Sequence, residues 1–254
     1  MTDSAELTED GFLGGRLRLR QPKSGHRAGH DAMLLAAATS ARPGDRVVEF
    51  GAGVGAAGLA VASRVAAIAL VLVEIDPDLA DLARGNAARN NLPAEVCVLD
   101  IASGADAFAA VRFFPDNADA VLMNPPFNDA SRHRSSPDAA RQIAHVATAT
   151  TLEAWVHAAR RVLKSAGVLT MIWRADGLAD VLAALERGFG SVVVLPVHGK
   201  AGEPAIRILV RAVKGGRAPL AIYPGLMLND AWGVQSPAAQ AVLSGQQLLP
   251  LATL

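Results

Sequence analysis

VVEFGAGVGAAG, residues 47–58, decides how this chain is read. An apolar run suited to a buried parallel strand closes on an acid, Glu49, and a phenylalanine, and glycines follow at 51, 53, 55 and 58. Gly53-x-Gly55-x-x-Gly58 fits the dinucleotide fingerprint, and Gly51-x-Gly53-x-x-Ala56 fits its relaxed form. Glycine lets backbone approach a ligand where any Cβ would intrude, here at the carboxyl end of a first strand. The glycines leave two cofactors open: a nicotinamide or flavin dinucleotide, or some other adenosine-bearing group.

Outward from this turn the pattern is regular. RVVEF is a strand and GAAGLAVASRVA a helix; ALVLVEI is the next strand, followed by a helix with Asp76 as its cap and Pro77 at its first position. AEVCVLD, ADAVLMN and VLTMIW continue as strands. GADAFAAVR, TLEAWVHAARRVLKSAG and DGLADVLAALERG have helical period, the second with a glycine stop. SVVVLPV and AIRILVRAV follow with no helix between them. The expected fold is therefore α/β: a seven-stranded, mostly parallel sheet covered on both faces, with an antiparallel hairpin at one edge. Ahead of it, GFLGGRLRLRQP reads as a short hairpin, and Asp31 reads as the N-cap of a helix over AMLLAAATSA. The expected organisation is an arm over 1–30, a catalytic domain over 31–214 and an extension over 215–254, in which Ser236-Pro237 opens a short helix.

At 254 residues, 51% hydrophobic and 19% charged, the chain suits one large α/β domain with a modest appendage. Lys+Arg and Asp+Glu both number 24, so net charge favours no partner. The distribution is uneven. An acidic tip (Asp3, Glu6, Glu9, Asp10) precedes a basic arm (Arg16, Arg18, Arg20, Lys23, Arg27), and Lys200, Arg207, Arg211, Lys214 and Arg217 form a second block. The two blocks either converge on one phosphate-binding face or are solvated strand faces. A lone cysteine, Cys97, an acidic N-terminus and no long apolar run point to a cytoplasmic protein without a membrane span. The six histidines fit no metal spacing, and no metal is expected.

Acids at the strand ends favour one cofactor over the other. Glu74 ends the second strand about 20 residues on, where a carboxylate can accept ribose hydroxyls for NAD or for S-adenosylmethionine. Glu49, two residues before Gly51, suits an ammonium and would repel a pyrophosphate; its bland alternative is a cap on the next helix. Asp100 can accept from the adenine amine, or be an ordinary turn acid before Ser103-Gly104.

The fourth strand ends in Asn124-Pro125-Pro126-Phe127, a rigid extended loop that prolines keep out of strand or helix. Here the chain resembles the class I S-adenosylmethionine-dependent methyltransferases that modify planar nitrogen. Arg27-x-Gly29-x-Asp31-x-x-Leu34-Leu35 and the stretch from ARQIAH to VLTMIW are similar to the bacterial tRNA adenine-N6 methyltransferase group, whose described member acts beside the anticodon of a valine tRNA. The resemblance spans roughly residues 15–212. It implies S-adenosyl-L-methionine as cofactor, held by Arg27, Gly29, Glu49, Gly51, Gly53, Gly55, Glu74, Ile75, Asp100, Ile101 and Asn124. It also implies that Asn124 and the Pro125 carbonyl accept the two N–H of an amine, that Pro126 stiffens the loop, and that Phe127 stacks on the base. RNA, most specifically tRNA, is the implied substrate.

Phe127 replaces the group's more usual Tyr, and Asn128 stands where guanine-N2 enzymes of rRNA carry His. The segment before the domain is too short for the helical domain of glutamine-amide enzymes. A guanine amine, a protein amide or a small molecule stay open as acceptors, and a NAD-dependent oxidoreductase stays open as a different class. Arg132, His133 and Arg134 read either as a substrate-gripping lid or as a solvated loop. Trp155 and Trp173 read as core. Trp232 has no clear assignment, and an edge hairpin with an apolar tail leaves room for a homodimer.

Overall fold

The computed structural model describes residues 6–24, 27–126 and 139–253, the side chains of 139–149 excepted. The chain opens with a hairpin of β1 (Leu7–Phe12) and β2 (Leu17–Pro22), paired antiparallel around the Gly14-Gly15 turn. Its alternation is physical: Leu17, Leu19 and Gln21 are buried while Arg18 and Arg20 face water. Helix α1 (His30–Ala38) follows, and then the strand–helix alternation begins. In order come β3 (Arg46–Phe50), α2 (Ala56–Arg64), β4 (Ala69–Glu74), α3 (Pro77–Arg89), β5 (Ala94–Val98), α4 (Ala105–Ala110), β6 (Ala118–Met123), α5 (Ala139–Val162), β7 (Leu163–Arg174), α6 (Leu178–Leu185), β8 (Phe189–Lys200) and β9 (Ala205–Lys214). The tail adds β10 (Ala221–Ile222), β11 (Leu226–Asn229) and α7 (Pro237–Leu243).

Across the sheet the strands run β8-β9-β7-β6-β3-β4-β5, with β9 alone antiparallel to its neighbours. These are the seven expected strands. Successive residues of the inner strands feed opposite cores, as strand geometry requires: Val47, Leu70 and Leu72 face α1, α2 and α3, while Val48, Val71 and Val73 face α4, α5 and α6. Burial on both faces is why these strands are continuously apolar.

Three expectations are corrected. Among the described residues the sheet has nine strands, because β10 and β11 both pair parallel to the outer side of β8. Two and four residues are too short to show strand periodicity, and the chain's own tail covers the outer edge of β8 there. Asp31 does not cap α1: Gly29 holds the cap position without a side-chain bond, and Asp31 Oδ2 accepts from Arg207 Nε at 3.0 Å. A guanidinium on a neighbouring strand offers the carboxylate a charge-assisted bond that the helix amides do not match. Helix α5 stops at Val162 rather than near Gly167, since Leu163 already lies against Ala118. Gly167 instead relieves a tight return, where a Cβ would come within 2.9 Å of the Lys164 carbonyl. Other signals read true: Asp76 Oδ1 caps α3 by accepting from Asp78 N at 2.9 Å, and Ser236 caps α7 by accepting from Ala239 N at 3.0 Å.

Of the two readings the sequence left open for the basic segments, the ion pairs disfavour the shared phosphate-binding face. The basic arm is neutralised largely by the acidic tip on its own hairpin: Arg18 and Arg20 approach Glu9, Lys23 meets Glu6, and Arg27 meets Asp10. Arg16 donates to the carbonyls of Ser244 and Gly245. In the second block Arg207 pairs with Asp31, Lys214 with Asp116, and Arg211 is buried. The two segments do not form one open basic face.

Candidate active site

The glycine turn leaves β3 at the carboxyl edge of the sheet, and its positive φ angles at Gly51 (65°), Gly53 (55°) and Gly55 (85°) are conformations that side chains resist. Each glycine does different work. A Cβ on Gly51 would sit 2.4 Å from the Trp155 ring. One on Gly53 would meet nothing within 4 Å, so Gly53 looks into open cleft. Gly55 is the N-cap of α2, packed against Leu72 and Leu59 and away from the cleft walls.

Two adjoining lobes make the cleft. One runs from Arg27 and Gly29 past Glu49 to Gly51 and Gly53. The other runs from Glu74 and Ile75 past Asp100 and Ile101 to Pro125, Pro126 and Trp155. Asp31, Gly51, Gly53, Leu79 and Asn124 line both, so Asn124 stands where the lobes meet. Of the residues singled out in the sequence, the fold thus gathers Arg27, Gly29, Glu49, Gly51, Gly53, Glu74, Ile75, Asp100, Ile101, Asn124, Pro125 and Pro126 around one space. Gly55 is not on its walls. Phe127, Arg132, His133 and Arg134 lie outside the described residues.

The acids are held rather than loose. Glu49 is 5% exposed, and its Oε2 accepts from Gly58 N at 2.7 Å, so it does cap the first turn of α2 while bordering the cleft. Burial pushes its pKa up from 4.5 to about 8; the amides of Gly58 and Ala57 oppose this, and nearby Glu74 adds to it. Among the described residues no cationic side chain pairs with it. Glu74 Oε2 accepts from Gly53 N at 2.7 Å, and its Oε1 accepts from Ile75 N at 2.8 Å and Asp76 N at 3.0 Å. Three of its roughly four acceptor positions are therefore filled by backbone. Asp100 lies two residues past β5, exposed, with Oδ1 accepting from Ala102 N at 2.9 Å. Arg27 is turned to the hairpin, donating to Asp10 Oδ2 at 2.8 Å and Thr8 Oγ1 at 3.0 Å.

The roles of four residues in or beside the cleft escaped sequence reasoning. Trp155 is core by burial yet forms the wall against Gly51, and its helical spacing looks like any packed face. Asp31 and Arg207 are 176 positions apart, and no local signal pairs them. Buried Asn86, 1% exposed, donates to the Val54 carbonyl and exchanges bonds with the Arg20 backbone, tying the glycine turn to the hairpin.

A cleft at the carboxyl edge, with open backbone at Gly53, a buried acid lacking a cationic partner and an oriented acid at the next strand end, fits S-adenosylmethionine. Fold and cleft together define an S-adenosylmethionine-dependent N-methyltransferase. The Methyltransferase small domain model matches residues 26–200, and the chain belongs to that family. It is 30% identical over 181 residues, 69% of each chain, to a protein of Porphyromonas gingivalis named tRNA1(Val) (adenine(37)-N6)-methyltransferase. A Dyadobacter fermentans protein of the same name is 26% identical over 218 residues, covering 85% of this chain and 88% of its own. Among solved structures, a predicted O-methyltransferase of Agrobacterium tumefaciens superposes with a TM-score of 0.72 at 29% identity, covering 86% of this chain and 98% of that one. A T. thermophilus 16S rRNA N2-guanine methyltransferase in complex with AdoMet and guanosine shares the fold at a TM-score of 0.56, 19% identity, and 82% and 50% coverage.

Proposed function

We propose that the protein methylates the exocyclic amino group of an adenine in RNA, specifically tRNA, in the cytoplasm. The observation that carries this is the position of Asn124-Pro125, at the end of β6 where the two cleft lobes meet. The names of the similar curated proteins support tRNA as the substrate. The domain organisation follows the same reading: an arm over 1–30, the methyltransferase domain over 31–214, and an extension over 215–254.

An amine on an aromatic ring is a poor nucleophile because its lone pair is delocalised. The cofactor, when bound, supplies an electrophilic methyl group. Asn124 Oδ1 and the Pro125 carbonyl each accept one N–H, which draws the nitrogen toward tetrahedral geometry and localises its lone pair. Pro126 keeps that loop extended, and Phe127 offers a ring face to the base. Glu49 receives the ammonium end of the cofactor, and Gly51 and Gly53 admit its chain. Glu74, whose remaining acceptor position lies on Oε2 beside Gly53, orients the ribose. Asp100, Ile75 and Ile101 border the adenine, and Arg27 and Gly29 close the ammonium end. In the transfer the N–CH3 bond would form as the cofactor's S–CH3 bond breaks, with the demethylated thioether as leaving group, and the displaced N–H proton passes to solvent. Position and orientation account for the acceleration, with no covalent enzyme adduct.

The test is transfer of labelled methyl from S-adenosylmethionine into total tRNA, rRNA and protein, with nucleoside analysis of the products. N6-methyladenosine in tRNA is the expected result. Label confined to protein, or found as methylated guanine, overturns the assignment.

A further inference from the structure

We propose that Trp232 is a stacking platform for an unpaired base of the RNA substrate that flanks the base held at Asn124. The proposal rests on the reading of the substrate as RNA. Trp232 is 87% exposed, the highest value among the exposed large hydrophobic side chains, and Val234 beside it is 63% exposed. Isolated apolar residues on a surface need no explanation. This one is different because the loop that carries it is built to present it.

Asp230 Oδ1 accepts from both Trp232 N and Val234 N at 2.9 Å, and the Asp230 amide donates to the Val234 carbonyl at 2.8 Å. Gly233, with φ 88°, makes the reversal, and Asn229 bridges Gln235 at the loop's base. The tip is thus closed by its own polar groups, and the indole contributes nothing to closing it.

Topology puts this loop on the reactive side of the sheet. Strand β8 runs parallel to β3 and β6, because β9 is antiparallel to both β7 and β8. Strand β11 runs parallel to β8, so its end at Asn229 faces the edge where the glycine turn and Asn124 emerge. Four strand spacings separate β6 from β11, roughly 20 Å across the sheet. That is a few nucleotides of single-stranded RNA. The surface between is continuous with the cleft: Gln235, at the base of the loop, shares a polar hollow with Arg27, Gly29 and His30, which also line the cofactor lobe.

Chemistry selects the occupant. A rigid aromatic beside a cation is the pattern that binds single-stranded nucleic acid, one stacking a base and the other meeting a phosphate. Lys200 ends β8 directly across from Asn229. The carboxylate of Asp230 is taken up by loop amides; Glu203 stands in the turn beyond Lys200. A stacked base needs no specific edge contacts, which suits a platform outside the catalytic pocket.

The experiment compares wild type, Trp232→Ala and Trp232→Phe in methyl transfer to total tRNA, with S-adenosylhomocysteine affinity and sedimentation measured on each. Removing an exposed side chain leaves the fold intact, so Trp232→Ala is expected to keep thermal stability and cofactor affinity. Its kcat/KM for tRNA should fall about 5- to 150-fold through KM, with most of the loss restored by Phe. Equal kcat/KM in wild type and Trp232→Ala overturns the platform while leaving the RNA reading standing. A wild-type dimer that Trp232→Ala splits, with unchanged RNA kinetics, assigns the indole to a second copy instead. If wild type methylates no RNA, the substrate reading itself fails and the platform with it.

Discussion

Replacing Glu49 by Gln separates the helix cap that the structure shows from the ammonium role proposed for this residue. The side chain keeps its shape and an oxygen that can still accept from Gly58 N, so the cap on α2 survives. What is lost is the ionisable group whose pKa burial raises from 4.5 to about 8. The sign follows from proton binding: between those values the folded protein holds a proton that the unfolded chain has released. The stability of the cofactor-free wild type is therefore full below pH 4.5 and declines as pH rises toward 8. At about 1.4 kcal/mol per unit, the shift corresponds to about 5 kcal/mol, an upper bound because buried charges are relieved by local relaxation. Glu49→Gln does not titrate, so its melting temperature should match wild type near pH 5 and exceed it by several degrees at pH 9. Cofactor binding should behave oppositely. At pH 7 the free protein holds Glu49 largely protonated, and an ammonium bound beside it favours the carboxylate. Wild type should then release close to one proton on binding S-adenosylhomocysteine, with affinity rising up to tenfold per unit between pH 6 and 7.5. Glu49→Gln should bind more weakly and without that slope. Calorimetry in two buffers of different ionisation enthalpy reads the proton directly. Equal proton release and equal pH slopes in the two proteins would refute the ammonium role.

Asn124→Ala removes the acceptor at the junction of the lobes. It should lower kcat by at least a hundredfold while leaving S-adenosylhomocysteine affinity within about twofold, as measured by single-turnover methyl transfer and calorimetry. Gly51→Ala forces a methyl group to within 2.4 Å of the Trp155 ring at φ 65°, so thermal unfolding should show a loss of about 1–3 kcal/mol together with weaker cofactor binding. Asn86→Leu leaves the Val54 and Arg20 carbonyls without their donor and should cost about 1–3 kcal/mol of stability. It should also raise the cofactor KM more than it lowers kcat, because the glycine turn loses its tie to the hairpin.

Much of this protein is written locally. Strands such as ALVLVE are continuously apolar because both their faces are buried, and the caps at Asp76 and Ser236 follow from short-range hydrogen bonding. The glycine turn, the acids after successive strands and Asn124-Pro125-Pro126 are likewise visible as short patterns, because a parallel sheet delivers the ends of its strands to one edge. Tertiary structure decided whatever depends on partners distant in the chain. It joined Asp31 to Arg207 across 176 positions and set Trp155 against Gly51. It covered the edge of β8 with a tail too short to look like strands, and turned the basic arm onto its own acidic hairpin. Charge along a sequence carries no direction; only the fold determines whether an arginine meets an acid of its own chain or the phosphate of another.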